Sequence, residues 1–165
     1  IIIACNPLWY SNPKEEDFNR GYQSAMGLAK PILQNEVALA RGVPTARDVI
    51  DKAVETYKDE RILLLDRCLP RREIRLDNAP RALLVILPAD NGGNWTIRAV
   101  EISRGMSKVR LKLPRQWVGK QGDELAELTG VHDVLFCHNS QFIAMTRTKE
   151  GAIAFAQRAL EVTNH

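Results

Sequence analysis

The chain has 165 residues, 45% of them hydrophobic and 26% charged, with a formal net charge of +3. That length suits one well-formed core rather than two. No apolar run approaches the roughly 20 residues of a membrane helix, and the first residues lack the basic flank and cleavage site of a secretion signal, so an intracellular setting is expected. Cys5, Cys68 and Cys137 stand far apart with no C-x-x-C among them, which argues against a disulfide framework or a zinc site and for reduced thiols. The chain opens Ile1-Ile2-Ile3-Ala4 without a methionine and is read as a piece of something larger.

Asn6-Pro7-Leu8-Trp9-Tyr10-Ser11-Asn12-Pro13 has the turn chemistry of an irregular opening segment. A helical period follows, with Phe18, Tyr22, Ala25, Ala29 and Ile32 on one face and Glu15, Glu16 and Asp17 where the dipole favours negative charge. Pro31 ends or kinks this helix. Gly42-Val43-Pro44 predicts a break, and Thr45 with Asp48 a capping-box start to a second helix carrying Ala46, Val49, Ile50, Ala53, Val54 and Tyr57 inward. Two such helices joined by a short loop are expected to lie antiparallel over one face of a sheet.

Ile62 to Leu65 and Ala82 to Leu87 read as strands, the second buried on both faces. Asn91-Gly92-Gly93-Asn94 predicts a hairpin into a strand from Trp95 to Glu101. From Lys108 to Leu113 the alternation is strict: Val109, Leu111 and Leu113 on one side, Lys108, Arg110 and Lys112 on the other. This pattern predicts a further strand with a row of cations, or else a solubilising edge. Trp117 anchors the next loop, Asp123 to Leu128 forms a short helix stopped by Gly130, and Val134–Cys137 and Phe142–Met145 are strands around the polar turn His138-Asn139-Ser140. Thr148 then serves as N-cap to a last helix, whose amino end carries Arg147, Lys149 and the uncovered turn at Gly151. Such an end can hold an anion, and the same residues also describe an ordinary capped helix. The expected fold is α/β (α+β): a mixed, partly antiparallel sheet with two N-terminal amphipathic helices and a C-terminal helix packed on it, in a single domain over residues 1–165.

Charge is unevenly spread. Residues 1–60 hold 7 basic and 9 acidic side chains, residues 61–120 hold 13 and 5, and residues 121–165 hold 3 and 6. A basic middle third attracts phosphate-bearing partners through a salt-dependent attraction, though a solvated sheet face would look the same. Nucleotide-cradle, zincin and hydrolase-elbow motifs are all missing. His132, Asp133 and His138 are the one cluster of candidate metal ligands and a weak one, and Cys137 and His138 point to opposite faces, so they cannot form a nucleophile–base pair.

Five motifs in order, W-T-I-R-A-V (Trp95 to Val100), L-P-R-Q-W-V-G (Leu113 to Gly119), D-E-L-A-E-L-T-G (Asp123 to Gly130), F-C-H-N-S-Q-F-I (Phe136 to Ile143) and T-R-T-K-E-G-A (Thr146 to Ala152), with N-P-L-W at Asn6 to Trp9, resemble the melanocyte-proliferating-gene family over nearly the whole chain. That resemblance implies a DHH-like metal-dependent phosphoesterase with 3′–5′ RNA exonuclease activity, found in mitochondrion, nucleus or cytoplasm. It also implies that this chain is the C-terminal, DHH-associated-domain-like half, while divalent Mn or Mg belongs to an N-terminal catalytic domain. Catalytic and metal-binding residues are accordingly not expected in this chain. The expected partners are single-stranded RNA or another phosphate-bearing substrate and that N-terminal domain, with no membrane. His138, Ser140, Arg147, Thr148, Lys149, Glu150 and Gly151 coincide with the family pattern, and Arg98, Lys108, Arg110 and Lys112 could track a strand backbone. Where the family has Gly-Gly-His, this chain has Ala144-Met145-Thr146, and Met145 restricts a close approach of phosphate. The alternative is a non-catalytic domain that binds a protein partner or a second copy.

Overall fold

The computed structural model describes residues 2–69, 74, 79–90, 92–103 and 108–163. Backbone packing divides the chain into two compact units, Ile1–Pro44 and Thr45–His165. Helix α1 runs without interruption from Glu15 to Thr56, with Pro31 and Pro44 inside it. Both stretches expected to be helical are so, but the break at residues 42–44, the fresh cap at Thr45 and the antiparallel pairing are not found. A proline removes one i→i−4 hydrogen bond, and its neighbours keep their helical course where the remaining bonds hold.

The first unit consists of two 3-10 turns, Ile2–Cys5 and Trp9–Ser11, and the helix up to Pro44. Asp17 accepts the Lys14 backbone N–H at 2.8 Å and pairs with Arg20, which secures the start of α1. Gly21 is required where it stands, because a Cβ there would lie 2.3 Å from the Cys5 carbonyl oxygen. Phe18, Tyr22, Met26, Ile32, Leu33 and Val37 of this unit are exposed.

In the second unit five strands form one mixed sheet in the order β1-β2-β3-β5-β4, where β1 is Ile62–Leu64, β2 Leu84–Pro88, β3 Trp95–Ala99, β4 Val134–Cys137 and β5 Ile143–Thr146. Only β1 against β2 is parallel. The turn before β3 closes an antiparallel β2–β3 hairpin as expected, although Asn91 lies outside the described residues. One face of the sheet carries Ile62, Leu84, Ile86, Ile97 and Ala144 into a core with Leu125 of helix α2 (Gly122–Thr129) and with Ala152, Phe155, Ala156 and Leu160 of helix α3 (Lys149–Thr163). Trp117, wholly buried, packs tilted against Phe155 with ring centroids 4.9 Å apart and anchors the loop before α2. The other face carries Leu63, Val85 and Leu87 against Ala46, Ile50 and Ala53 of α1. Leu84 to Leu87 are all nearly inaccessible, which is why β2 reads as one continuous apolar run.

The expected strand over 108–113 is reduced to a single bridge, Glu101 with Val109. Its alternation survives in burial alone: Leu113 is buried and Lys108 and Lys112 are exposed. Arg110 breaks the row, since its guanidinium donates to the carbonyls of Ala79, Pro80 and Ala82 at 2.9–3.2 Å.

Candidate functional site

The residues singled out in the sequence fall at two ends of one strand. β5 is four residues long, about 13 Å at 3.3 Å per residue; Arg147 and Thr148 follow it, and His138 to Phe142 precede it as the hairpin from β4. Within β5, Ala144 and Thr146 are wholly buried and Ile143 and Met145 half-buried.

At the α3 end an anion is already in place, and it belongs to the protein. One Asp133 carboxylate oxygen accepts the Thr148 backbone N–H at 2.8 Å and the Thr148 hydroxyl at 2.5 Å. The Thr148 oxygen in turn accepts the Gly151 N–H at 3.0 Å, the cap expected from the sequence. A Cβ at Gly151 would overlap the Asp133 carboxylate, so this glycine makes room for an internal acid. Lys149 is half-buried, with its Nζ 5.8 Å from the Trp95 ring centroid, and Arg147 is exposed. A phosphate at the Thr148 amide would have to displace Asp133 and meet its charge.

At the other end the turn itself is exposed. His138, Asn139 and Ser140 all face solvent, and the His138 N–H donates to Ile143 O at 2.9 Å while the Gln141 N–H donates to His138 O at 3.0 Å. The His138 Nδ1 accepts the Ser140 backbone N–H at 3.1 Å, and the Ser140 hydroxyl bonds the same nitrogen. Gln141 has a φ of 61°, in the left-handed region. It clips the turn to the chain before α2, because the Leu113 N–H donates to Gln141 O at 2.8 Å and Gln141 Nε2 donates to Leu113 O at 3.1 Å. Lys112, exposed, is the residue before this clip in the chain. Gly119 closes the arrangement: with φ at +73°, a Cβ on it would lie 2.6 Å from Asn139 Oδ1. Lys120, by contrast, is paired with Glu124.

The remaining cations are dispersed. Arg98 is half-buried on the sheet, level with Val85 on β2 and Ile143 on β5. Arg71, Arg72, Arg75 and Arg104 of the basic middle third lie outside the described residues. In the sequence Asp133 stands only as a candidate metal ligand and Gln141 only as one letter of the F-C-H-N-S-Q-F-I motif; the roles the structure gives them rest on Thr148 and Leu113, which are remote in the chain.

Reactive groups are not evident among the described side chains. Burial pushes the Cys137 thiol up to about 11, and burial with a 2.6 Å hydrogen bond to Asp90 pushes Cys68 up to about 11. No group of three or more His, Cys, Asp or Glu able to hold a metal ion occurs among the described residues. The candidate trio does not fit one: β4 separates His138 from His132 and Asp133, and the Asp133 carboxylate caps Thr148. A cavity of about 360 Å³ beside the end of α1 is lined by Ala53, Tyr57, Asp59, Glu60 and Arg81. Its acids are partnered, Asp59 with Arg61 and Glu60 with Arg81. No helix among the described residues is long and apolar enough to cross a membrane.

The chain is 33% identical over 171 residues to the MYG1 protein of Schizosaccharomyces pombe, which covers 98% of this chain and 52% of that one. It is 27% identical over 165 residues to the MYG1 protein of Dictyostelium discoideum, covering 94% and 50%, and 28% identical over 170 residues to the MYG1 exonuclease of Homo sapiens, covering 96% and 45%. The chain thus spans about half the length of the curated relatives it matches. No solved structure matches it significantly. The MYG1 exonuclease family model, described as an uncharacterised protein family (UPF0160), matches residues 1–160, and the chain belongs to that family.

Proposed function

We propose that this chain grips a single-stranded RNA, or another phosphate-bearing strand, for a 3′–5′ exonuclease whose cutting chemistry lies in the part of the longer protein outside these residues. The observation that carries this reading is the hairpin end of the sheet, where the exposed His138 and Ser140 sit on a turn that Gln141 ties to Leu113, the chain neighbour of exposed Lys112. A cation supplies attraction to the phosphate backbone and the turn supplies directional hydrogen bonds. Exposed Lys108 extends the positive surface on the same stretch of chain. The exonuclease name of the human relative supports a nucleic-acid substrate. Divalent Mn or Mg, in this reading, is bound by the N-terminal domain, and the compartment is mitochondrion, nucleus or cytoplasm.

Fluorescence anisotropy with a short oligouridylate tests this directly. Binding should weaken steeply as salt rises from about 50 to 200 mM, because each phosphate contact releases condensed counterions. Binding that ignores salt, or no binding at low salt, contradicts the proposal.

A second reading rests on a separate observation. Trp9 is 86% exposed, Leu33 67% and Tyr22 61%, all in the first unit. Apolar surface of that kind favours a protein interface, either with the N-terminal domain or with a second copy. Sedimentation of the chain across a hundredfold range of concentration separates a self-associating species from a monomer.

A further inference from the structure

The hydrogen bonds of the β4–β5 turn carry one step more, which rests on the proposed strand-gripping role. We infer that His138 is a neutral, directional hydrogen-bond donor to the bound strand, presenting Nε2–H outward, and is neither a metal ligand nor a point charge.

A neutral imidazole carries one proton, and the nitrogen that accepts a hydrogen bond is the one without it. The Ser140 backbone N–H has no alternative but to donate, and it donates to Nδ1 at 3.1 Å. The Ser140 hydroxyl bonds the same nitrogen. Nδ1 is therefore the acceptor and Nε2 bears the proton. A metal bound at Nε2 would need that lone pair free and the proton on Nδ1, where it would point at the Ser140 N–H. Nε2 meets no protein partner among the described residues, and the side chain is exposed. The ring is also held: its residue exchanges backbone bonds with Ile143 and Gln141, and its centroid lies 6.2 Å from the Phe142 ring. An oriented N–H on a clipped turn suits a phosphate oxygen or a base carbonyl, both of which accept.

The imidazole could instead serve the turn alone. His138→Asn separates the roles, because an Asn side-chain oxygen accepts the N–H two residues on and so preserves the turn, but places no donor where Nε2–H stood. Long-range ¹⁵N NMR of the wild-type chain should show the Nε2–H tautomer. Anisotropy with the oligouridylate should show His138→Ala and His138→Asn both weakened about tenfold, as expected for a hydrogen bond to a charged group. The slope of affinity against salt should stay at the wild-type value in both variants, since a neutral donor displaces no counterion. Lys112→Ala should lower that slope. Wild-type affinity in His138→Asn, a reduced salt slope in either His138 variant, or an Nδ1–H tautomer overturns the inference while leaving RNA binding intact. Absence of wild-type binding overturns both the inference and the reading it rests on.

Discussion

The two ends of β5 carry similar chemistry and do different work. After the strand, Thr148, Lys149 and Gly151 form a helix start whose anion is Asp133, built into the fold. Before it, His138 and Ser140 form a turn with exposed polar atoms, and no carboxylate bonds the turn among the described contacts. The difference teaches that a helix start with a hydroxyl cap and flanking cations is a ligand site only when the protein leaves its amides unanswered. Here Asp133, fifteen positions earlier in the chain, takes the Thr148 amide, and the Thr148 hydroxyl takes that of Gly151.

Substitutions at either end sharpen the contrast, and the largest effect belongs to Gly151→Ala. In an ordinary first turn that change is neutral or stabilising. Here the new methyl meets the Asp133 carboxylate, and thermal unfolding should show a loss of about 2–4 kcal/mol. Asp133→Ala should cost roughly 1–2 kcal/mol as a lost cap and leave oligouridylate affinity no weaker than wild type. Arg110→Ala should destabilise by about 1–2 kcal/mol, because its guanidinium serves three carbonyls, and should leave RNA affinity within twofold. Lys112→Ala does the reverse, with stability unchanged and affinity down roughly fivefold at low salt. The smallest effect is in pH. The Arg61 hydrogen bond holds the Asp59 carboxyl below its ordinary value of 3.8. Its contribution is therefore present above pH 4 and fades as pH falls through the lowered value. Asp59→Asn should match the wild type below that range and be slightly less stable above it, as measured by urea titration from pH 2.5 to 7.

Much of the sheet was legible in the sequence. Val134–Cys137 is the strand expected, the Gly92-Gly93 turn closes the hairpin, and Thr148 caps α3 as its hydroxyl and the following helical period require. These are local signals, read within a few residues. The continuity of α1 was not legible, since Gly42 and Pro44 are genuine breakers and the sequence does not say that the helix carries on through them. The strand expected at 108–113 failed for a related reason: alternation reports which side chains are buried, whereas strand formation needs a backbone partner, and beyond Val109 the chain turns to other contacts. At the candidate site, Lys112, His138 and Ser140 were named from residue type and resemblance, and nothing local in the sequence shows that β5 separates them from Thr148 and Gly151. Asp133 looked like a weak metal ligand, because nothing near it reveals that Thr148 and Gly151 fold back onto it.

One end of β5 meets the RNA strand in the proposed role, and amide NMR during an oligouridylate titration reads both ends at once. Shifts concentrated at residues 138–141, with 149–151 unmoved, are the predicted result. Shifts led by the amides of 148–151 would place the phosphate at the helix start, against the Asp133 carboxylate, and would contradict it.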